Sequence, residues 1–256
     1  MWPPPSGGTW VLDLDGVIWL GHEPIPGAAD AVARLRQAGH RVLFVTNNSA
    51  SRRGDVEQRL GAMGIPATDD VVTSAMAAAS LVSEGDRVHV IGGPGLIEAL
   101  AGVGAVVVNG VDADVVIVGR DTKFDFDKLD AASEAIRRGA RFIATNDDAT
   151  YPTPRGLEPG NGALVAAVAT AAGAKPEIAG KPHEPIAAVV RKILGSDGDV
   201  VAVGDRADTD GEFAGTLGAR FGLVLSGVTK AADLPVTPAP DLVADDLAGL
   251  ADQLGA

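Results

Sequence analysis

Short apolar segments alternate with helix-like segments along nearly the whole 256-residue chain. The apolar segments have the length and composition of buried strands, and several helix-like segments are followed by a glycine, as helix C-termini often are. This alternation predicts an α/β fold with a mostly parallel sheet and right-handed crossovers. The predicted strands lie at 10–12, 40–45, 70–75, 87–91, 105–109, 114–118, 141–145, 199–203 and 221–225. The predicted helices lie at 28–38, 52–63, 75–84, 96–101, 127–139, 162–172, 184–194, 208–217 and 243–254.

The composition narrows the class of protein. Hydrophobic residues make up 46 % of the chain, which is enough for a sizeable core, and the absence of cysteine excludes disulfides, thiol catalysis and cysteine-based zinc sites. A net charge of −13 argues against nucleic acid as a partner. The N-terminus has neither the basic region nor the apolar region of a signal peptide, and no apolar run reaches the length of a membrane span. We therefore expect a cytoplasmic protein with no membrane partner.

Two acids follow the first predicted strand. Trp10, Val11 and Leu12 form an apolar run, and Asp13 and Asp15 come directly after it. Two carboxylates at the end of a buried strand are costly without a cation or hydrogen-bond donors, and ligands bind at this end of parallel strands. The segment therefore predicts an acidic site supported by Mg²⁺, although a solvated turn has the same local sequence.

Two further predicted strand ends or helix starts carry polar groups suited to a phosphate. Thr46 ends the second strand with a hydroxyl, and Asn47 and Asn48 add donors next to it. Lys181 precedes Pro182, which favours extended backbone geometry at the lysine just before a helix. A polar turn and an exposed surface lysine are the alternatives for these two segments taken singly.

A further acid follows the strand at 199–203. Asp205 comes directly after this apolar strand and is a candidate Mg²⁺ ligand, since Mg²⁺ favours a few carboxylates and a phosphate oxygen. Asp210 lies five residues further on, and we expect it to orient Asp205 without binding the metal itself. An acidic surface loop is the alternative for this segment alone.

The order of these residues resembles the four motifs of the haloacid dehalogenase (HAD) superfamily of phosphohydrolases. Asp13-Leu-Asp-Gly-Val17 is similar to the first motif, Thr46 to the second, Lys181 to the third, and Gly204-Asp205 through Asp210 to the fourth. The resemblance implies a Rossmann-like parallel core, the HAD fold.

Further segments resemble the NagD/4-nitrophenylphosphatase branch of that superfamily. They are 45–49, 144–147, 159–162, 180–182 and 204–210, and the resemblance covers nearly the full chain. This branch carries an inserted α/β cap of type C2, which implies a cap at 86–176 and a core at 1–85 plus 177–256. Gly211 departs from the pattern, since an aliphatic residue often follows the last aspartate of the branch.

The resemblance also implies roles for the site residues. Asp13 would attack phosphorus and form an aspartyl-phosphate, and Asp15 would serve as general acid and then general base. Mg²⁺ would be bound by the Asp13 carboxylate, the Asp15 backbone carbonyl and Asp205. Thr46, Asn47, Asn48 and Lys181 would hold the phosphoryl oxygens. The expected activity is a Mg²⁺-dependent phosphatase that hydrolyses small phosphate monoesters, with 4-nitrophenyl phosphate as an artificial substrate.

The inserted segment is expected to select the substrate. It has few aromatic residues, which favours a small phosphorylated sugar, polyol or glycolate, and Asn146 and Asp147 are candidates to face it. Homodimers through the cap are suggested by analogy with the branch. Among the histidines, His183 lies two residues after Lys181. We expect a structural or exposed position for His183, and a position near the site is the less favoured alternative, the minority interpretation.

Other classes of protein remain open at this stage. A phospho-accepting regulatory domain, or a phosphate-binding protein without turnover, also places acids, a hydroxyl and a lysine at strand ends. A nucleotide-binding protein would need Gly-x-Gly-x-x-Gly after a strand, which neither 92–95 nor 102–104 provides. Turnover of a phosphate ester separates the phosphatase from the first two.

Overall fold

The computed structural model describes residues 7–153, 156–195 and 198–253. Its strands are β1 Thr9–Leu12, β2 Trp19–Leu20, β3 Glu23–Pro24, β4 Arg41–Thr46, β5 Val71–Thr73, β6 Arg87–Ile91, β7 Val106–Val108, β8 Val115–Val118, β9 Arg141–Ala144, β10 Thr150–Thr153, β11 Gly156–Pro159, β12 Glu177–Ile178, β13 Val200–Gly204, β14 Arg220–Val224 and β15 Leu242–Ala244. Its α-helices are α1 Ala28–Gln37, α2 Arg53–Ala62, α3 Ser74–Ala79, α4 Pro94–Gly102, α5 Phe126–Arg137, α6 Asn161–Ala172, α7 Glu184–Leu194, α8 Glu212–Leu217 and α9 Leu247–Gln253.

The first sheet contains six parallel strands in the order β15-β14-β13-β1-β4-β5. Strand β1 lies in the middle because both of its faces are apolar. Trp10 and Leu12 pack into the core on one side of the sheet, and Val11 packs into a second core on the other. Parallel sheets are covered on both faces, so their strands read as continuous apolar runs. The prediction of an α/β fold with a parallel core is confirmed.

The second sheet contains five parallel strands in the order β12-β9-β8-β6-β7. It is formed by the segment that runs from Arg87 to Ile178. Strand β12 joins this sheet because Glu177 and Ile178 pair with Ile143 and Ala144. The sheet thus extends two residues past the end of the predicted cap at 86–176, whose limits stay a prediction.

A single apolar cluster connects the two sheets. Val11 and Val45 of the first sheet and Val88 and Ile117 of the second belong to this cluster, together with Leu96 of α4. All five side chains are buried. Apolar burial of this kind stabilises by about 25 cal/mol per Å², so the contact between the sheets contributes to the stability of the whole chain.

The chain near its C-terminus differs from the prediction of one helix at 243–254. Residues Leu242–Ala244 form β15, which pairs in parallel with β14, and the helix begins only at Leu247. Asp246 Oδ1 accepts a hydrogen bond from the backbone N–H of Gly249 at 2.8 Å, as a residue that precedes a helix does. The apolar residues of 242–244 therefore belong to a sheet edge, and residue 254 lies outside the described residues.

The hairpins β2–β3 and β10–β11 were not predicted from the sequence. The second of these contains Pro152, Gly156 and Pro159, residues that are typical of loops. Strands β10 and β11 are antiparallel, and Tyr151 lies opposite Glu158. The segment predicted as a helix at 208–217 begins with a π-helical turn, Ala207–Gly211, that continues into α8. Such turns inside helices often occur at functional sites.

Candidate active site

The polar residues predicted at strand ends meet at one edge of the first sheet. Strand β1 lies between β13 and β4, so Asp13, Asp205 and Thr46 leave three neighbouring strands at the same edge. Lys181 reaches this edge from the segment between β12 and α7. The sheet order, which the sequence does not state, therefore brings the four predicted motifs together.

Lys181 lies at the centre of a buried cluster of carboxylates. The residue is 3 % exposed, and its Nζ donates to Asp13 Oδ1 at 2.8 Å and to Asp210 Oδ1 at 2.7 Å. Asp13, Asp205 and Asp210 each offer an oxygen, and these atoms lie within 4.8 Å of one another. The backbone N–H groups of Asp205 and Arg206 donate to Asp210 Oδ2, both at 3.2 Å. Asp210 thus connects the lysine to the loop that carries Asp205.

Burial dominates the electrostatics of this cluster. It raises the pKa of the Asp13 carboxyl, an effect that the Lys181 ammonium partly offsets. Burial, with the nearby Asp210 carboxylate, raises the pKa of Asp205 to about 7. For Lys181, burial alone would lower the pKa, but the carboxylates of Asp13 and Asp210 outweigh it and hold this pKa above its ordinary value. When all three acids are ionised, one ammonium leaves an excess of negative charge, which a divalent cation would neutralise.

Two glycines make room for the Asp205 carboxylate. A Cβ atom on Gly16 or on Gly227 would overlap the Asp205 side chain, and Gly16 also has a left-handed φ of 88°. The backbone N–H of Val228 donates to Asp205 Oδ2 at 2.5 Å. Close backbone approach and one strong donor orient the carboxylate toward the cluster. The donor set of oxygen atoms and this orientation fit a bound Mg²⁺ ion.

Asp15 occupies a separate position beside the cluster. Its Oδ1 accepts hydrogen bonds from Trp19 Nε1 at 3.0 Å and from the Tyr151 hydroxyl at 3.3 Å. Burial raises the pKa of Asp15, and the Trp19 hydrogen bond and the Arg59 charge oppose that rise. The Arg59 guanidinium lies over the Trp19 ring, 3.8 Å from its centroid. A carboxyl with a raised pKa in such a pocket has the properties of a general acid.

The predicted phosphate-binding residues all line the same pocket. The Thr46 hydroxyl is buried, and its Oγ1 accepts from the backbone N–H of Asn48 at 3.0 Å. The side chain of Asn47 is engaged by its neighbours: Nδ2 donates to Asp148 Oδ2 and to the Lys181 carbonyl, both at 3.0 Å, and Oδ1 accepts from the Lys181 N–H at 2.8 Å. Asn47 thereby holds the lysine segment in place.

The loops after β8 and β9 of the second sheet, together with the hairpin β10–β11, supply the opposite wall of the pocket. Asn146, Asp148, Tyr151 and Arg120 line it, whereas the other predicted cap residue, Asp147, is not among the lining residues. The Asp147 carboxylate is 3.8 Å from the His183 Nε2. His183 is also outside the lining residues, so the minority interpretation for this histidine has no support from the pocket.

Several residues of this wall were not identified from the sequence. Asp148 follows the two cap residues that were named, and burial raises its pKa. Tyr151 is the one tyrosine of the sequence, which is the signal that would have singled it out. Arg120 belongs to none of the predicted motifs, and only the fold brings its charge to the pocket. On the first-sheet side of the pocket, Arg206 lies within the motif segment 204–210 but was given no role from the sequence.

Comparison with known proteins gives the class of the chain. Residues 10–106 match the family described as haloacid dehalogenase-like hydrolase, and residues 178–250 match a second family of HAD-like hydrolases. An acid sugar phosphatase from Staphylococcus saprophyticus is 41 % identical over 207 residues, which is 79 % of this chain and 80 % of the relative.

Solved structures give the same result. A p-nitrophenyl phosphatase from Archaeoglobus fulgidus superposes with a TM-score of 0.91 at 33 % identity, over 98 % of this chain and 100 % of the other. A glycerol phosphate phosphatase from Mycobacterium tuberculosis, solved in complex with magnesium, superposes with a TM-score of 0.88 at 36 % identity, over 97 % of this chain and 78 % of the other.

The fold and the site, together with these relatives, define a HAD-type hydrolase. The chain belongs to the haloacid dehalogenase superfamily and, within it, to the phosphatases of the NagD/4-nitrophenylphosphatase type. None of the helices in the described parts of the chain has the length and apolar character that a membrane-spanning helix needs.

Proposed function

We propose that this phosphatase is Mg²⁺-dependent and hydrolyses small phosphate monoesters through an aspartyl-phosphate on Asp13. The observation that carries the proposal is the buried cluster in which Lys181 bridges Asp13 and Asp210 beside Asp205. A nucleophile, a cation and a metal-binding carboxylate within a few ångströms supply the positioning and charge neutralisation that phosphoryl transfer needs.

The residues present fit a resident Mg²⁺ ion. The carboxylates of Asp13 and Asp205 and the backbone carbonyl of Asp15 would hold it, with Asp210 orienting Asp205 through its loop. When bound, Mg²⁺ supplies positive charge to the phosphoryl oxygens. A structural relative, the glycerol phosphate phosphatase, was solved with magnesium, which supports this choice of metal.

In the first chemical step the Asp13 carboxylate forms a bond to phosphorus. The bond between phosphorus and the ester oxygen breaks, and Asp15 gives its proton to that oxygen, which leaves as an alcohol. In the second step Asp15 takes a proton from water, and the water oxygen displaces Asp13 from phosphorus. Inorganic phosphate leaves, and both carboxyl groups return to their starting states. The ammonium of Lys181 holds Asp13 and a phosphoryl oxygen throughout.

The proposed substrate class is a small phosphorylated metabolite such as a sugar, polyol or glycolate phosphate. Lys181, Arg120 and Arg206 line the pocket and supply local positive charge in a chain whose net charge is −13. The polar wall formed by Asn146 and Asp148 suits hydroxyl groups. Relatives named acid sugar phosphatase and glycerol phosphate phosphatase support this class. The cap homodimer and the cytoplasmic location stay predictions from the sequence.

The test is phosphate release from a panel of small phosphate esters, with Mg²⁺ and after chelation, for the native chain and Asp13→Asn. We expect turnover that requires Mg²⁺ and falls by at least about a thousandfold in Asp13→Asn, since the nucleophile is lost. Asp130→Asn, the same change at an exposed position of α5, is the matched control and should keep full activity. Turnover that survives in Asp13→Asn, or a lasting phosphorylated Asp13 without turnover, would contradict the proposal.

A further inference from the structure

The hairpin β10–β11 brings a hydroxyl group to Asp15. Tyr151 lies on β10, and its hydroxyl donates to Asp15 Oδ1 at 3.3 Å. The indole of Trp19 donates to the same oxygen at 3.0 Å. Within the described residues these two groups are the donors to the Asp15 carboxyl. Both donors contact Oδ1, so this oxygen acts as an acceptor.

Arg120 holds Tyr151 in this position. Its guanidinium lies 4.5 Å from the centroid of the Tyr151 ring and 3.2 Å from a carboxylate oxygen of Glu158. Tyr151 and Glu158 face each other across the hairpin, so one arginine contacts both strands. The backbone N–H of Arg120 donates to the hydroxyl of Ser49 at 3.4 Å, which connects it to the loop after β4. The tyrosine is therefore fixed against the first sheet as well as within its own hairpin.

We propose that Tyr151 is a positioning residue that orients the general acid Asp15 for protonation of the leaving oxygen. This inference rests on the proposed function, because it takes Asp15 as the general acid. The acid belongs to the segment after β1, whereas the hydroxyl that orients it belongs to a hairpin between β9 and α6. Loss of the hydroxyl leaves one of the two donors on Oδ1 and frees the carboxyl to rotate.

A positioning role differs measurably from a contact with substrate. A hydroxyl that binds substrate changes kcat/KM for every ester by a similar factor. A hydroxyl that orients the general acid changes kcat/KM, which reports on the steps up to release of the alcohol, and it does so most for esters whose leaving oxygen needs a proton. Alkyl alcohols need that proton, while 4-nitrophenolate leaves without it.

The test is Tyr151→Phe, which keeps the ring beneath Arg120 and removes the hydroxyl. kcat/KM is measured with Mg²⁺ on a series of phosphate monoesters from 4-nitrophenyl phosphate to alkyl phosphates. We expect kcat/KM to fall about tenfold for the alkyl esters and less than about twofold for 4-nitrophenyl phosphate. Leu157→Ala is the matched control, because Leu157 lies on the same hairpin, is 65 % exposed and should leave all rates as they are.

Asp15→Asn, measured on the same series, separates failure of the inference from failure of the proposed function. If it shows a steep dependence on the leaving group and Tyr151→Phe shows none, Asp15 is the general acid and the role given to Tyr151 is wrong. If Asp15→Asn shows no such dependence, Asp15 is not the general acid, and both its role in the proposed function and the role given to Tyr151 are wrong. An equal loss of kcat/KM on all esters also overturns the role of Tyr151.

Discussion

At the scale of single residues, the site depends on one buried ammonium surrounded by acids. Lys181 contacts Asp13 and Asp210 directly, and both contacts lie out of solvent. Removing one partner of a buried ion pair leaves an uncompensated charge, which costs more than the pair contributes when intact. The lysine therefore affects stability as well as phosphate binding.

Lys181→Met should destabilise the metal-free protein by about 3–5 kcal/mol near pH 8, and by less near pH 5. Without the ammonium, the already raised pKa of Asp13 rises further, so the folded variant keeps a proton that the unfolded chain releases. The cost thus appears as the pH rises. Urea unfolding in chelator at both pH values measures it, with the exposed Lys175→Met as control. An equal loss of stability at both values would contradict this account.

Asp205 should make the effect of Mg²⁺ depend on pH. Its pKa is raised from 3.8 to about 7, so the neutral carboxyl is favoured in the folded, metal-free protein. This contribution to stability is full below the unfolded pKa and is lost as the pH rises through about 7. Mg²⁺ needs the ionised carboxylate, so the increase in Tm on adding Mg²⁺ should be larger near pH 8 than near pH 5. The same increase at both values would show that Asp205 does not titrate with the metal.

At the scale of elements, one buried side-chain amide at the start of α6 connects this helix to two segments of the second sheet. Asn161 Nδ2 donates to the Asn146 carbonyl at 2.7 Å and to the Val118 carbonyl at 3.1 Å. Val118 is the last residue of β8 and Asn146 lies two residues past the end of β9, and both segments lead to the pocket wall. The amide therefore fixes the position of α6 relative to β8 and β9 next to Asn146.

Asn161→Ala should destabilise the protein by about 2–4 kcal/mol, since two buried carbonyls lose their donor. Asn109→Ala, the same change at an exposed position after β7, should change the free energy of unfolding by less than about 0.5 kcal/mol. Urea unfolding of the two variants gives the comparison. Similar values for both would mean that water replaces the amide without cost.

At the scale of the whole molecule, the two sheets share a core and are not merely tethered. Leu96 and Leu100 of α4 belong to the same apolar cluster as Val11 and Val45 of the first sheet. The two described tryptophans, Trp10 and Trp19, are buried in the apolar core against the first sheet. Trp2 lies outside the described residues. With Trp2 replaced by phenylalanine, tryptophan fluorescence reports on the first sheet, while far-UV circular dichroism reports on both.

Leu100→Ala should lower the free energy of unfolding by about 2–5 kcal/mol, because Leu100 is fully buried. The shared core predicts that the fluorescence and circular dichroism transitions shift together, although the leucine lies outside the first sheet. Ile97→Ala on the same helix is the control, since Ile97 is 46 % exposed and its truncation should cost little. A fluorescence transition that stays in place would show that the two sheets unfold independently.

The sequence determined much of this protein by itself. Apolar strands followed by Asp13, Thr46 and Asp205 predicted a parallel α/β core with polar groups at one edge, and the family followed from the same residues. These features are local, because strand periodicity and the residue at a strand end can both be recognised from a few consecutive residues.

The tertiary structure alone decided the rest. Tyr151 lies 136 positions from Asp15 and Lys181 lies 168 positions from Asp13, and only folding brings each pair into hydrogen-bond distance. The hairpin that carries Tyr151 has the composition of a loop, and β15 lies in a segment whose apolar pattern also suits a helix. The physical reason is that a side chain's partner, its burial and the resulting pKa depend on what the chain packs against it, which local sequence does not specify.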